Sequence, residues 1–453
     1  MASSGKRPQI RDGCRWICLF QRRIAIEGES DGNNKTTDTF DRRDAFVRSF
    51  MIHIKKHGSL YGILLLSICL RLLFSLGNNK ALFVDITSYD AYAVSILNKG
   101  YFSISAYHPP LYPSFLALVY RIFQHDFIPV YLVQCVLGTA NTFLIYCIAR
   151  SIGGERLGVL SAAASLLYWP LTLYSGVLLA ETLFLFVMLT GVYMYLKGFE
   201  NHKRACFAVC GLFMGLSTLT RSITLLLLFI LPAVYILFAR NQGKEVRIRN
   251  SLLYAVVFCL VLSPWVLRNY RLYHQFIPVD TLGGVNLYIG NHDRANGFFV
   301  DITSDPLNDA GDNDYENDRI LKEAAVKYIL SNPVKTAALT LWRAALFIGF
   351  DIGELDWVIA RYMKENFIFG LPLLKYIFQA SNIAFFIMAL YGMPIFLKSR
   401  KGWLLLGFIL YFFGLTSLFY IQSRYRLPVM PFMAIACASA IDRIKARRMS
   451  TPG

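Results

Sequence analysis

Asp85 and Tyr89 stand four residues apart just after the first long apolar run, in the stretch DITSYDAYAVSILNKGYFSISAYHPPLYP. Residues with this spacing lie on one face of a helix, so the pattern predicts a short helix that presents both side chains together. A carboxylate held at the edge of an apolar span is a candidate proton acceptor, and Asp85 is the candidate catalytic base. The alternative is that Asp85 caps the helix that begins near Thr87.

The same stretch runs into a rigid corner, His108-Pro109-Pro110. The two prolines fix the backbone after His108, so its ring is held where it can make a hydrogen bond or ligate a metal. A purely structural histidine is the alternative. Asp90, beside Tyr89, is interpreted as a solvated helix residue, with a functional role as its alternative.

Two charged residues interrupt apolar runs further along the chain. Glu181 opens the run LLAETLFLFVMLT, where a carboxylate complements the helix dipole and can also ligate a cation or orient a substrate. Arg221 separates two apolar runs in LSTLTRSITLLLL, where a guanidinium can snorkel to the interface or bind a lipid phosphate with two hydrogen bonds. Both are therefore candidate substrate-binding residues.

Near the C-terminus, the segment SRYRLP places Arg424 and Arg426 at the start of the last apolar run. Two guanidiniums at that position would attract an anionic head group. Anchoring of the helix at the membrane interface is the alternative. The two arginines complete the set of candidates that the elements of the fold must bring together.

The chain that carries these residues is strongly apolar. Of its 453 residues 55% are hydrophobic, its mean hydropathy is +0.45, and long apolar runs recur, which indicates a polytopic helical membrane protein. The net charge of +17 gathers in short loops and in the N-terminal tail, as the positive-inside bias predicts. Membrane lipids are therefore expected partners, and nucleic acid is not.

The charge pattern fits ten transmembrane spans with both termini in the cytoplasm. The predicted spans are about 59–77, 128–149, 157–174, 179–197, 205–220, 222–239, 251–267, 378–397, 402–421 and 427–442. The first begins too late for an ordinary signal peptide and is expected to remain as a helix. The nine cysteines lie in apolar runs or in the basic tail, so no disulfide framework is predicted.

Two apolar segments are predicted to lie on the membrane rather than to cross it. Pro110–Phe123 has only fourteen residues, which make about 21 Å of helix against a hydrocarbon core of about 30 Å. Counting it as a span would also move Arg150 and Arg156 to the outer side, so an interfacial helix is favoured. The second segment, 334–376, contains several charged residues and is also predicted to lie outside.

The chain therefore divides into five predicted parts. They are a flexible cytoplasmic tail (1–56), an N-terminal transmembrane catalytic module with an outer loop at 78–127 (57–267), an extracytoplasmic loop with interfacial helices (268–377), C-terminal transmembrane helices (378–444) and a cytoplasmic tail (445–453). Within the long loop, a helix is predicted from Asp314 to Leu330, ending before Asn332-Pro333. This topology gathers the ionisable candidates at one membrane face: Asp85, Asp90, His108, Glu181, Arg221, Arg268, Arg424 and Arg426.

Several catalytic and transport patterns are missing from the sequence. It contains no Walker A loop, no GxSxG elbow and no HExxH helix. It also contains no pair of Gly/Pro-broken helices in equivalent halves, which would mark an alternating-access transporter. A transporter would moreover be expected to hold charges at the bilayer midplane, whereas here the predicted charges gather at one face.

The order of motifs resembles the GT-C superfamily of integral-membrane glycosyltransferases, and within it the protein O-mannosyltransferase-like group that includes bacterial lipid A aminoarabinose transferases. The likeness runs from about Tyr61 to the last span. Its motifs are Asp85-x3-Tyr89 with Gly100, then HPPLYP, LLAETLFLF, GLSTLTR, PWVLRNYRLYHQFIPVDTLGGVNLYIGN and RYRLPVMP. His108 and Pro109 stand where the aminoarabinose branch has Glu and Lys, so the HPP form is closer to the broad bacterial group.

The resemblance implies a GT-C-type bundle of about ten transmembrane helices in the plasma membrane, with its active site on the extracytoplasmic side. It implies transfer of a sugar from a polyprenyl-phosphate donor to a lipid, glycan or protein hydroxyl, with inversion. Asp85 matches the catalytic Asp, Glu181 a second acidic position and Arg221 a basic position on the phosphate side. The expected substrate-binding residues are Tyr89, His108, Glu181, Arg221, Arg424 and Arg426.

No cofactor or metal is expected, although a divalent cation beside His108 and Glu181 stays open as an alternative. Two other functions also stay open. A lipid-linked glycan polymerase or ligase would use the same kind of donor, and a transporter or flippase would move a lipid-linked or anionic solute instead.

Overall fold

The computed structural model describes residues 57–75, 84–100, 105–348 and 372–450. The chain divides into two units, of which the second, Ser59–Gly453, contains nearly all of the described residues. The predicted N-terminal tail, 1–56, lies outside the described residues, and so do the final residues 451–453 of the predicted C-terminal tail. The description of the fold therefore concerns the second unit.

The described residues are mostly α-helical. In chain order the helices are α1 His57–Ser75, α2 Val84–Lys99, α3 Leu111–Phe123, α4 Phe127–Ser165, α5 Pro170–Leu173, α6 Glu181–Asn201, α7 Arg204–Thr218, α8 Leu227–Phe238, α9 Lys244–Tyr273, α10 Gly283–Gly290, α11 Asp314–Ser331, α12 Pro333–Ile348, α13 Pro372–Phe396, α14 Arg400–Leu418 and α15 Met430–Ser450. Short 3₁₀ helices cover Tyr174–Gly176, Ser222–Thr224 and Ser423–Arg426.

Polar residues at the helix starts explain several of these boundaries. The Asp126 carboxylate accepts a hydrogen bond from the Ile128 amide at 3.2 Å and begins α4. Asn313 does the same for the Glu316 amide at 3.0 Å and begins α11. Such N-caps satisfy amides that have no partner inside the helix. The predicted helix from Asp314 is confirmed, and it stops before Asn332-Pro333 as expected.

Six described helices are long and apolar enough to cross a membrane, by length and composition. They are α1, α4, α6, α9, the Tyr376–Phe396 part of α13, and α14. Three shorter apolar helices cover Leu111–Phe123, Arg204–Thr218 and Ser222–Phe238. The all-α, polytopic membrane fold is thus confirmed. Each of the ten predicted spans overlaps a helix, and whether all ten cross the bilayer stays a prediction.

Two helix boundaries differ from the predicted spans. The predicted spans 128–149 and 157–174 correspond to two helical parts of α4, which non-helical backbone at Gly153-Gly154 separates, with φ +83° at Gly154. Its second part ends at Ser165 rather than near 174, because Pro170 cannot continue the same helix. Helix α9 runs on to Tyr273 instead of ending near 267, so its last residues extend beyond the apolar run.

Small residues let the apolar helices approach closely, as is common in membranes. A Cβ added to Gly392 on α13 would stand 1.8 Å from the carbonyl oxygen of Ala436 on α15. A Cβ at Gly211 on α7 would stand 2.5 Å from the carbonyl oxygen of Tyr254 on α9. Any larger side chain at either glycine would force the paired helices apart.

A buried arginine, Arg71, joins α1 to the segment that leads towards α6. Its side chain donates to the Leu171 carbonyl at 2.6 Å, to the Ser175 hydroxyl at 2.5 Å and to the Ser67 hydroxyl at 3.3 Å. It is only 2% exposed. These neutral acceptors replace the water that the guanidinium would otherwise bind.

The segments predicted to lie outside contact one another. The Leu111 amide donates to the Leu219 carbonyl at 2.9 Å, and the Thr281 amide donates to the Ala106 carbonyl at 3.1 Å. The Ile421 amide donates to Gly297 at 2.9 Å. The first outer loop thus contacts the end of α7 and the start of the long loop, and the long loop contacts the segment after α14.

Candidate active site

An ion pair between Glu181 and Arg221 lies at the centre of the candidate site. Glu181 is the first residue of α6. Arg221 has an extended backbone and precedes the 3₁₀ helix Ser222–Thr224. The Arg221 guanidinium donates to the Glu181 carboxylate, and the two side chains are 20% and 2% exposed. The second carboxylate oxygen of Glu181 and Nε of Arg221 are buried without a hydrogen-bond partner, so the pair keeps unused hydrogen-bonding capacity.

Buried amides of α4 hold the start of α6 in place. The Gln134 amide donates to the carbonyls of Ser175 at 3.1 Å and Val177 at 2.7 Å. The Asn141 amide donates to the Thr182 carbonyl at 3.1 Å, and the Tyr112 hydroxyl donates to Gln134 at 2.9 Å. Since both sides of Glu181 are fixed by these bonds, its carboxylate has little freedom to leave Arg221.

A second guanidinium, that of Arg424, faces the same region. The guanidinium carbons of Arg221 and Arg424 lie 5.8 and 5.7 Å from the centre of the Tyr425 ring. Nε of Arg424 donates to Gln422 at 2.6 Å. Two cations therefore lie within about 6 Å of the centre of one aromatic ring.

The pKa of Arg221 reflects these neighbours. Burial lowers the pKa of its guanidinium, and Arg424 lowers it further. Glu181, with smaller contributions from Tyr89 and Tyr425, raises it, and the net pKa lies above the ordinary value. Arg221 consequently stays positively charged at neutral pH.

Aromatic rings join α2 and α3 to this cluster. The Tyr89 ring lies 4.4 Å from the His108 ring and 5.0 Å from the Tyr112 ring, centre to centre. His108 is buried, and its Nε2 is 2.8 Å from the Ser88 hydroxyl. Tyr89 also interacts electrostatically with Arg221, as Tyr112 does with Glu181. The predicted residues Tyr89, His108, Glu181, Arg221 and Arg424 are thus brought into one neighbourhood.

Asp85 lies in the first turn of α2, one turn before Tyr89. The predicted helix is confirmed, and the four-residue spacing places the two positions on one face of it. The side chain of Asp85 itself falls outside the described part of the chain. Its predicted role as a base stays a prediction.

Arg426 is placed differently from Arg424. It is 2% exposed and donates to the Leu346 carbonyl on α12 at 2.8 Å. Nearby, the fully buried Arg343 donates to the carbonyls of Gly290 and Leu418, the last residues of α10 and α14. The partial negative charge of two helix C-termini stabilises that cation. Arg426 and Arg343 thus join α12 to the chain on either side of Arg424.

Asp90 takes part in a link between α2 and the end of α3. Its carboxylate accepts the Tyr120 hydroxyl at 2.8 Å and lies 2.9 Å from Nε2 of His125. The Asp90 side chain is 19% exposed, so it is less solvated than the sequence interpretation held. Arg268 likewise has a partner in the first outer loop, because it donates to the Ser105 carbonyl at 3.2 Å.

In the described part of the chain, no group of three or more His, Cys, Asp or Glu side chains could hold a metal ion. The chemistry that the cluster offers is that of an anion site. A half-buried guanidinium pair beside aromatic rings binds a phosphate more strongly than a fully exposed pair would, because less water surrounds it. Nε of Arg221, which has no hydrogen-bond partner, would be available to donate to such a group.

Comparisons with known proteins bear on the fold that carries this cluster. Residues 107–267 match the family model for dolichyl-phosphate-mannose-protein mannosyltransferases. A structure of the archaeal oligosaccharyltransferase AglB from Archaeoglobus fulgidus, in complex with an inhibitory peptide and a dolichol-phosphate, superposes with a TM-score of 0.50 at 13% identity, over 88% of this chain and 53% of that one. The apo form of the same oligosaccharyltransferase superposes with a TM-score of 0.52 at 13% identity, over 87% of this chain and 51% of that one. The chain has the GT-C glycosyltransferase fold.

A structure of ArnT from Cupriavidus metallidurans bound to undecaprenyl phosphate gives a TM-score of 0.44 at 12% identity, over 86% of this chain and 79% of that one. No curated protein sequence matches the chain. The chain spans about half of the length of the archaeal oligosaccharyltransferase structures. His108, Glu181 and Arg221 lie within the segment that matches the family model, whereas Asp85, Tyr89, Arg424 and Arg426 lie outside it.

Sequence reasoning missed several residues that build the site on this GT-C fold. Tyr425 is one of them, because both Arg221 and Arg424 approach its ring. Gln134 and Asn141 are polar residues inside an apolar run, which is the signal that could have found them. Tyr112 lies in HPPLYP, directly after the proline corner, and no spacing rule indicates its bond to Gln134.

Proposed function

We propose that this protein is a membrane glycosyltransferase that moves a sugar from a polyprenyl-phosphate carrier to a hydroxyl of a lipid, glycan or protein. The observation that carries the proposal is the ion pair between the buried Glu181 and the half-buried Arg221, with Arg424 beside it. It is supported by the GT-C fold and by the family match over 107–267. The dolichol-phosphate in the AglB structure agrees with a donor of the same chemical class.

The charges of the cluster suit such a donor. A phosphodiester that joins lipid to sugar carries one negative charge, and the guanidiniums of Arg221 and Arg424 would donate charge-assisted hydrogen bonds to it. When the sugar departs, the phosphate becomes a monoester and gains negative charge. Arg221 and Arg424 would then bind the leaving phosphate more strongly than the donor, which is how a fixed charge lowers a barrier.

In the proposed reaction the Asp85 carboxylate takes the proton of the acceptor hydroxyl as its oxygen attacks the anomeric carbon. The new carbon–oxygen bond forms while the bond from the anomeric carbon to the phosphate oxygen breaks, and a single displacement inverts the centre. Asp85 needs no perturbed pKa for this task, because a carboxylate is already ionised at neutral pH. Tyr89 on α2 and His108 in the loop before α3 would contact the sugar or the acceptor.

In this proposal the site faces the extracytoplasmic side of the plasma membrane and both termini are cytoplasmic. The carrier lipid keeps the donor in the bilayer with its phosphate at the outer interface. The long loop after α9 would cover the site and select the acceptor. A divalent cation is not required by the mechanism, since the two guanidiniums supply the positive charge.

Purified protein supplied with radiolabelled polyprenyl-phosphate sugars and membrane extract tests the proposal. Asp85→Asn should abolish transfer while expression and membrane insertion remain normal, and Asp293→Asn, which removes an exposed carboxylate of the long loop, is the matched control. Undiminished transfer by Asp85→Asn would remove Asp85 as the base. Translocation of a labelled lipid-linked solute without transfer would favour the transporter, and chain growth on the lipid carrier would favour the polymerase.

A further inference from the structure

The Asp314 carboxylate, at the first residue of α11, receives four hydrogen bonds from three other parts of the chain. One oxygen accepts from the Tyr273 hydroxyl at 2.6 Å. The other accepts from the Ser105 hydroxyl at 3.0 Å, the Ala106 amide at 2.9 Å and the Thr281 hydroxyl at 2.9 Å. Few side chains in the described structure join so many distant segments, and hydrogen bonds to a carboxylate are about twice as strong as neutral ones.

Helix capping does not explain this carboxylate. The N-cap of α11 is Asn313, whose side chain accepts from the Glu316 amide at 3.0 Å. Asp314 complements the helix dipole at that position, but an exposed carboxylate would do the same. Both of its oxygens are instead occupied by groups of α9, the first outer loop and the start of the long loop.

Ser105 and Ala106 are the groups through which Asp314 reaches the candidate site. The Ser105 carbonyl accepts from Arg268 at 3.2 Å, and the Ala106 amide also contacts the Tyr273 hydroxyl at 2.9 Å. The Ala106 carbonyl accepts from the Thr281 amide at 3.1 Å. The backbone of these two residues is therefore fixed, and His108 follows only two residues later.

The same segment contacts α2, the helix that carries Asp85 and Tyr89. Ser105 is close enough to Tyr92 for a side-chain hydrogen bond. The Tyr92 ring lies 5.9 Å from the His108 ring at an angle of 83°. A movement of Ser105 would thus shift both α2 and His108, which packs on Tyr89.

We propose that Asp314 is a positioning residue, which holds the Ser105–His108 segment and through it sets where α2 lies relative to Glu181, Arg221 and Arg424. The inference rests on the proposed function, because the geometry it fixes is that between the base on α2 and the phosphate-binding arginines. It gives the long loop after α9 a task in the reaction itself, beyond covering the site.

Asp314→Asn is the informative substitution because it keeps size and shape. An amide is uncharged and offers one acceptor oxygen instead of two. Its NH2 group would face either the Tyr273 hydroxyl, which would then have to accept, or the side that holds the Ala106 amide, which cannot accept, so at least one of the four bonds to a charged oxygen is lost. Asp314→Glu keeps the charge and can re-form part of the network. Asp312→Asn, two residues earlier and exposed, removes the same charge without touching Ser105.

In transfer assays, Asp314→Asn should lower kcat by about tenfold, as expected for loss of a hydrogen bond to a charged group, with the donor KM unchanged within about twofold. Asp314→Glu should recover part of the loss, and Asp312→Asn should behave as wild type. Amide hydrogen exchange at Ala106 and Tyr107 should become faster in Asp314→Asn. An unchanged kcat, or equal losses in kcat and donor affinity together with a lower Tm, would overturn the inference.

Hydrogen exchange separates this inference from the proposed function. If wild-type protein transfers no sugar while Asp314→Asn still loses protection at Ala106, the proposed reaction fails and the structural link from Asp314 to the site stands. If protection at Ala106 is the same in wild type, Asp314→Asn and Asp312→Asn, the link itself is refuted.

Discussion

The two ends of helix α6 carry carboxylates in opposite surroundings. At its start, Glu181 is 2% exposed and pairs with Arg221, which is 20% exposed. At its other end, Glu200 is 38% exposed and pairs with Lys197 at 3.4 Å and with Lys401. The same residue type on one helix is therefore removed from water at one end and solvated at the other.

The difference indicates which of the two pairs the proposed function would use. A solvated ion pair contributes about 0–1 kcal/mol, since water and salt screen it. Removing one partner of a buried pair costs about 3–5 kcal/mol, since it leaves a charge without water or counterion. A protein gains little stability from burying Glu181 and Arg221 together, so the arrangement is better explained by an anionic ligand than by folding.

The largest expected effect comes from neutralising the buried end. Glu181→Gln should reduce sugar transfer on the order of 100-fold, which corresponds to about 3 kcal/mol for truncating a buried charge pair. Glu200→Gln should change transfer by less than about twofold, as expected of a solvated pair. Both variants are assayed at equal amounts of folded protein, judged by gel filtration in detergent.

Equal losses from the two substitutions would show that the two ends do not differ in function. A double variant, Glu181→Gln with Arg221→Gln, sharpens the result. Because the two side chains interact directly, the combined loss should be smaller than the product of the two single losses. Independent effects would indicate that the contact between them plays no part in transfer.

The sequence could predict both partners of this pair but not the pair itself. Glu181 and Arg221 stand out because each interrupts an apolar run, and the positive-inside pattern places them at one membrane face. Their contact depends on the bonds from Gln134 and Asn141 that hold the start of α6. Such long-range contacts leave no periodic trace in the sequence.

The fold was predictable to a similar degree. Apolar length and loop charge indicate the helices, and the motif order resembles the GT-C superfamily. The end of the second part of α4 at Ser165 and the late end of α9 at Tyr273 depend on backbone geometry that hydropathy does not record. The role of Arg71 could not be predicted, because a single arginine barely lowers the hydropathy of α1. Its acceptors at Leu171 and Ser175 lie about a hundred residues away in the sequence.

Asp280 provides a third environment for a carboxylate, and its substitution has the smallest expected effect. It is half-buried in the loop after α9, with hydrogen bonds from Ser222 and from the Leu282 amide. Burial raises the pKa of Asp280 from 3.8 to about 6. A raised pKa in the folded protein means that folding favours the protonated form, so stability is highest below the unfolded pKa and falls as the pH rises through about 6.

Asp280→Asn should therefore stabilise the protein at pH 8 by about 1–3 kcal/mol, the upper value being the energy of the pKa difference. The gain should be smaller at pH 4.5, where the native carboxyl is already protonated. Thermal unfolding in detergent at the two pH values measures it. A gain that is the same at both pH values, or a loss at pH 8, would contradict the assigned environment of Asp280.

Binding of a polyprenyl phosphate tests the central claim, that Arg221 and Arg424 form a phosphate site beside Glu181. The Kd of a radiolabelled polyprenyl phosphate is measured for purified wild type, Arg424→Gln and Arg319→Gln, the last of which removes an exposed arginine of α11. We predict that Arg424→Gln raises the Kd by about tenfold or more, as loss of one charge-assisted phosphate contact should, and that Arg319→Gln leaves it unchanged. Equal affinity in all three proteins, or the same loss in both variants, would contradict the account.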